Sequence, residues 1–233
     1  ENAGVMFTTR ETVEKVERMK VCTCLNPLHT TLAVYGCLLG YTKISEEMKD
    51  ADLVKLVEII GYKEGLPVVT DPGILSPKKF IDEVLQIRVP NPFMPDTPQR
   101  IACDTSQKLS IRFGETIKEY AARPELSVSD LKFIPMVQAG WCRYLMGVDD
   151  QGNTFTVSPD PMYESLAVLL KDVKLGQTCD VHKVLEPILS NVKIFGVNLY
   201  EVGLGETVEG IFAELIAGPG AVRATLERHL AEA

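Results

Sequence analysis

Lys20-Val-Cys-Thr-Cys-Leu-Asn26-Pro-Leu-His29 sets a cation, a neutral amide and an imidazole within ten residues. A carbonyl being reduced needs donors to hold its oxygen and a group to exchange its proton, and Lys, Asn and His can fill those roles. At roughly 100° per residue, Asn26 and His29 fall about 60° apart on one helix face, so both can address a single oxygen. Lys20 precedes the Asn26-Pro27 break, and helical arithmetic does not place it. Each residue also has a plain alternative: Asn26 as a helix cap, His29 as a satisfied half-buried side chain, Lys20 as a solvated one.

A second group is Arg100, Asp104, Lys108 and Arg112, which recur every four residues. On a continuous helix over 98–107 and beyond, they would drift slowly around one face. Such a stripe could clamp a carboxylate-bearing substrate, with arginine supplying paired hydrogen bonds and Asp104 orienting the cations or binding a hydroxyl. The alternative is a solvated ladder of i, i+4 ion pairs.

Composition narrows the field. The chain has 233 residues, 45% apolar and 24% charged, with a formal net charge of −8. That suffices for a sizeable core, and the acidity argues against nucleic acid as a partner, since broad binding of that kind needs a basic face. Six cysteines, at 22, 24, 37, 103, 142 and 179, fit free thiols of a reducing cytoplasm, and Cys22-Thr-Cys24 has the wrong spacing for a zinc or redox pair. With histidines only at 29, 182 and 229, no metal site is expected. No apolar run reaches the roughly 18 residues of a membrane span, and no signal peptide is visible. The first residue is Glu1, and the chain is expected to be a piece of a longer protein.

The elements that must position these groups read as helices. Thr8-Thr-Arg-Glu11 predicts a capping box, and the helix it opens should end before Asn26-Pro27. Asn26 then suits an N-cap for a second helix that Gly40 closes. Further helices are expected at about 45–60, 77–86, 98–107, 112–122, 129–146, 161–172, 180–191, 205–217 and 220–231. Ser76-Pro77 and Thr97-Pro98 serve as cap-plus-proline starts. Arg88-Val-Pro-Asn-Pro-Phe-Met-Pro-Asp96 is too proline-rich for a helix or a central strand. Phe155-Thr-Val suits a short extended piece, and 148–159 is the best candidate for a linker, although none is strong enough to split the chain. The acid pairs Asp149-Asp150 and Glu46-Glu47 read as turn and helix-surface charges. Gly203-Leu-Gly205-Glu-Thr-Val-Glu-Gly210 has the wrong spacing for a dinucleotide loop and no preceding strand. The expectation is an all-α domain spanning 1–233.

Taken together, the two groups resemble the long-chain mannitol dehydrogenase family, which includes the fructuronate and tagaturonate reductases. Asn26, His29 and Ala33-Val-Tyr-Gly36-Cys-Leu-Leu-Gly40-Tyr41 fit that family's catalytic stretch, and Arg100, Asp104 and Lys108 fit its second signature. The likeness runs from about residue 10, densest at 18–41 and 88–120, and leans towards the D-mannonate oxidoreductase branch. It implies a helical C-terminal substrate domain, with NAD or NADP bound mainly by an N-terminal Rossmann domain outside this chain. It also implies hydride transfer at C5 of a keto-sugar acid, interconverting D-fructuronate and D-mannonate. Lys20 would exchange the proton, a task that needs a lysine tuned from about 10.4 towards roughly 7–8. Asn26 and His29 would hold the oxygen, and Arg100, Asp104, Lys108 and Arg112 would bind the substrate. The family places four residues between its lysine and asparagine where this chain has five, so either the turn absorbs a residue or Lys20 is displaced. A mannitol or arabinitol polyol dehydrogenase domain, or a helical binding module inactive alone, are the alternatives.

Overall fold

A computed structural model describes residues 6–233. Thr9 opens helix α1 (Arg10–Met19): its extended backbone lets Oγ1 accept from the Thr12 N–H at 3.2 Å. The expected capping box at Thr8 is therefore displaced by one residue, and Glu11 pairs with Lys15 instead, at 2.7 Å. The chain passes from α1 into a π-helical turn, Lys20–Cys24, and then into α2 (Asn26–Leu38). Every residue of α2 from Pro27 to Leu38 except His29 is buried, as a helix apolar on nearly all sides must be. Gly40, at φ 81°, ends it.

The single helix expected over 45–60 is split into α3 (Ile44–Glu47) and α4 (Ala51–Glu58), because Asp50 between them accepts from the Asp52 and Leu53 amides. Glu47 is not a surface charge: it is fully buried. A second π-helical stretch, Ile59–Gly65, continues α4. Ser76 caps α5 (Pro77–Glu83), which widens into a third, Val84–Arg88. Thr97 caps the short α6 (Pro98–Ile101), and a fourth π-helical stretch, Ser110–Gly114, leads into α7 (Glu115–Ala122). The remaining helices are α8 (Phe133–Tyr144), α9 (Tyr163–Leu170), α10 (Val181–Leu189), α11 (Val192–Phe195), α12 (Gly205–Leu215) and α13 (Ala221–Ala231). Among the described residues the only β pairing is an isolated bridge between Val148 and Thr154, so the domain is all-α as expected. No described helix is long and apolar enough to cross a membrane.

The packed centre is α2 against α8 and α8 against α12. The Tyr35 hydroxyl donates to the Met136 carbonyl at 3.0 Å, and Trp141 meets Phe195 edge-on at 5.8 Å. Buried Glu64, at the end of the second π-helical stretch, accepts from the amides of Lys132, Phe133 and Ile134 at 2.7–2.8 Å, satisfying the start of α8 from another element. The segment 148–159 is no linker. Buried Arg143 donates to the carbonyls of Val148, Asp149 and Leu215, and Asp150, read as a turn charge, is buried with its carboxylate accepting from Val222 N–H at 2.7 Å.

Candidate active site

The first turn of α2 carries Asn26 and His29. Leu25, not Asn26, holds the cap position, so the expected capping role of Asn26 is corrected. The backbone of Asn26 already starts the helix, its carbonyl accepting from Thr30 Oγ1 at 2.9 Å. The His29 amide donates to the Leu25 carbonyl at 3.1 Å. No side-chain hydrogen bond engages the Asn26 amide or the His29 ring among the described residues, and both are half-buried. Burial first, then the charges of Arg112, Arg88 and Arg100, hold the His29 pKa down at about 4. At neutral pH the ring is therefore a neutral imidazole, with one N–H to donate and one lone pair to accept.

His29 lines a cleft of about 70 Å³. Leu25 and His29 come from the start of α2, Ile44 and Ser45 from α3, Arg88 and Val89 from the end of the α5 extension, and Met94 and Asp96 from the proline-rich stretch. That stretch is anchored by Ile44 N–H donating to the Asp96 carbonyl at 3.1 Å. The cleft therefore pairs an apolar wall with one imidazole, one carboxylate and one guanidinium.

Arg100, Asp104, Lys108 and Arg112 do not form one helical stripe. The helix expected over 98–107 stops at Ile101, and Asp104 adopts the left-handed conformation, φ 53°, with its amide bonded to the Pro159 carbonyl at 2.9 Å. Aspartate tolerates that conformation better than most residues. Asp160 secures the new direction by accepting from the Ser106 amide and hydroxyl, at 2.8 and 2.5 Å. The consequence is a division of labour among the cations. Arg100 pairs with the cleft carboxylate of Asp96. Lys108 donates to the carbonyls of Cys103 and Ile101, and burial followed by the charge of Arg112 lowers its pKa. Arg112 reaches the Thr30 hydroxyl on α2, one residue after His29, and burial holds its pKa down at about 10. Asp104 is exposed, and its carboxylate makes no side-chain hydrogen bond or ion pair among the described residues, although its charge acts on Lys108.

Lys20 begins the first π-helical turn, where the Leu25 amide donates to the Lys20 carbonyl at 3.1 Å across five residues. A π turn takes up one residue more than an α turn. The residues between Lys20 and Asn26 are wound into this π turn and its junction with α2. The Lys20 ammonium lies 5.6 Å from the centroid of the Phe80 ring, on α5, and Lys20 is not among the residues that line the cleft. Arg88 and Asp96 were not predicted as site residues. They open and close the proline-rich stretch, and charges bracketing a rigid loop were the available signal.

The mannitol dehydrogenase C-terminal domain profile matches residues 12–213. The chain belongs to that family. It is 60% identical over 224 residues to D-mannonate oxidoreductase of Thermotoga maritima, covering 96% of this chain and 41% of that protein. It is 31% identical to mannitol dehydrogenase 2 of Saccharomyces cerevisiae over 173 residues, 74% of this chain and 32% of that one. In fold it matches the Pseudomonas fluorescens mannitol 2-dehydrogenase, solved as a ternary complex with NAD and D-mannitol. The TM-score is 0.83 at 24% identity, covering all of this chain and 44% of that one. The chain thus spans less than half the length of each of these relatives, from 32% to 44%.

Proposed function

We propose that this chain is the substrate-binding and catalytic domain of an NAD- or NADP-dependent oxidoreductase that interconverts D-fructuronate and D-mannonate. The observation that carries the proposal is the pair of unengaged polar groups, Asn26 and His29, on the buried start of α2 beneath a cluster of arginines. The 60% likeness to a D-mannonate oxidoreductase supports the choice of substrate.

In this scheme Asn26 and the neutral His29 ring donate to the carbonyl oxygen, and their pull strengthens as negative charge develops there. Lys20, which packs its ammonium towards Phe80 in this structure, gives its proton to that oxygen in reduction and takes it back in oxidation. Arg112 and Lys108 supply positive potential towards an anionic substrate, and Asp104 stands at the exposed edge of the same segment. When bound, the nicotinamide supplies or takes the hydride. The residues of this chain that read superficially as a dinucleotide loop do not fit it. Gly205 opens α12 with the Tyr200 ring packed where a Cβ would stand, at 2.2 Å, and no strand precedes the stretch among the described residues. The cofactor is accordingly assigned to an N-terminal domain, which the coverage of the relatives and the exposed apolar residues Ile87, Phe93 and Met94 beside the cleft support.

The test is the full-length enzyme with both nicotinamide cofactors on D-fructuronate and on uncharged D-fructose. A preference for fructuronate is expected, and replacement of His29 by alanine should lower kcat by roughly 10²–10³-fold with a smaller change in KM. A preference for fructose would instead favour the polyol dehydrogenase reading, and an unchanged kcat in His29→Ala would remove that residue from the chemistry.

A further inference from the structure

A keto-sugar acid presents its carboxylate at the far end of the carbon chain from the carbonyl that is reduced. A site for it must hold a free cation in the same cleft as the oxygen-binding donors. Of the basic residues near His29, most are engaged. Arg100 neutralises Asp96, which would otherwise set a negative charge in the cleft against an anionic substrate. Lys108 closes on backbone carbonyls, and Arg112 on the Thr30 hydroxyl. Arg88 differs. It lines the cleft together with His29 and forms neither an ion pair nor a side-chain hydrogen bond among the described residues. It is exposed, on the last residue of the α5 extension, and the buried neighbour Val89 anchors the backbone there through an amide bonded to the Val84 carbonyl at 2.9 Å. A guanidinium on a fixed stem, with its planar fork unoccupied, is suited to a two-pronged grip on a carboxylate.

We infer that Arg88 receives the substrate carboxylate and is the residue that selects an acid over an uncharged ketose, while Arg100 serves to mask Asp96. The inference rests on the sugar-acid assignment above. Its test is the ratio of kcat/KM on D-fructuronate to that on D-fructose, in the full-length enzyme and in its Arg88→Gln and Arg88→Lys variants. Losing a charge-assisted pair should lower the ratio by about 10- to 100-fold in Arg88→Gln, mainly through KM on fructuronate, with part of it restored in Arg88→Lys. The exposed position leaves folding intact, which a thermal melt of each variant checks. A ratio in Arg88→Gln equal to that of the unsubstituted enzyme overturns the role of Arg88 and leaves the sugar-acid assignment standing. If the unsubstituted enzyme shows no preference for fructuronate, the assignment itself fails and the inference with it.

Discussion

His29 and Glu47 are both held neutral by burial, with opposite consequences for stability. His29 titrates near 4 in the fold against an ordinary 6.5, so its contribution is present above about 6.5 and is lost as pH falls towards 4. Glu47 is the reverse. Its carboxyl is fully buried without a hydrogen-bond partner, and burial, then the charge of Asp50, pushes its pKa up to about 9. The folded state keeps that proton while the unfolded chain releases it near 4.5, so stability is greatest below 4.5 and declines as pH rises to about 9. A single group of this kind changes the unfolding free energy by up to about 1.4 kcal/mol per pH unit. In Glu47→Gln the decline between pH 6.5 and 9, measured by urea unfolding, should flatten by that amount. An unchanged slope would mean that Glu47 is not protonated in the fold. That Asn26 and His29 start one helix and share its first turn was readable from their spacing, because a 3.6-residue period states which side chains share a face. Glu47 was not. Its burial depends on Gly36 of α2, where a Cβ would stand 2.2 Å from its carboxyl oxygen, and no local pattern reveals which neighbour leaves such a notch.

At the level of elements, the helices were largely readable and their widened turns were not. Caps at Ser76, Thr97 and Asp180 follow from short side chains that satisfy first-turn amides. The π-helical stretches leave no mark in apolar periodicity, yet they carry Lys20, Arg88 and Arg112. The stretch Ser110–Gly114 shows what sustains one of them. Gly114 passes so close beneath α11 that a Cβ there would lie 2.1 Å from the Phe195 carbonyl oxygen. Backbone cannot swing aside as a flexible side chain can, so Gly114→Ala should cost about 1–3 kcal/mol, a fall in Tm of roughly 3–10 °C. Because Arg112 lies two residues earlier and reaches Thr30 beside His29, the same variant should raise KM for an anionic substrate. An unchanged Tm by calorimetry would show that α11 can move away and that this contact does not hold the segment.

Across the whole molecule, the least expected feature is that the late helices are clasped to the site-bearing α2 through Asp150. Its amide donates to the Leu38 carbonyl at 2.8 Å, its carbonyl accepts from Gly220 at 2.6 Å, and its carboxylate accepts from the Val222 amide at 2.7 Å. An Asp-Asp-Gln-Gly-Asn sequence signals a turn correctly, but turn chemistry alone does not say that one of its acids faces inward. The physical reason lies in α13: the carbonyl of Gly218 accepts from the Ala221 amide, but the Gly220 cap has no side chain to accept from the Val222 amide. Asp150→Ala leaves the Val222 N–H buried and unpaired, which should cost about 1–3 kcal/mol. The loss is expected to be local first: amide hydrogen exchange should accelerate at the start of α13 and the end of α2, with α1 unaffected. Uniform acceleration along the chain would mean that Asp150 supports the fold as a whole, and no acceleration would mean that another group takes its place. Only the first outcome fits a domain in which Asp150 ties the start of α13 to the C-terminal end of the helix that carries Asn26 and His29.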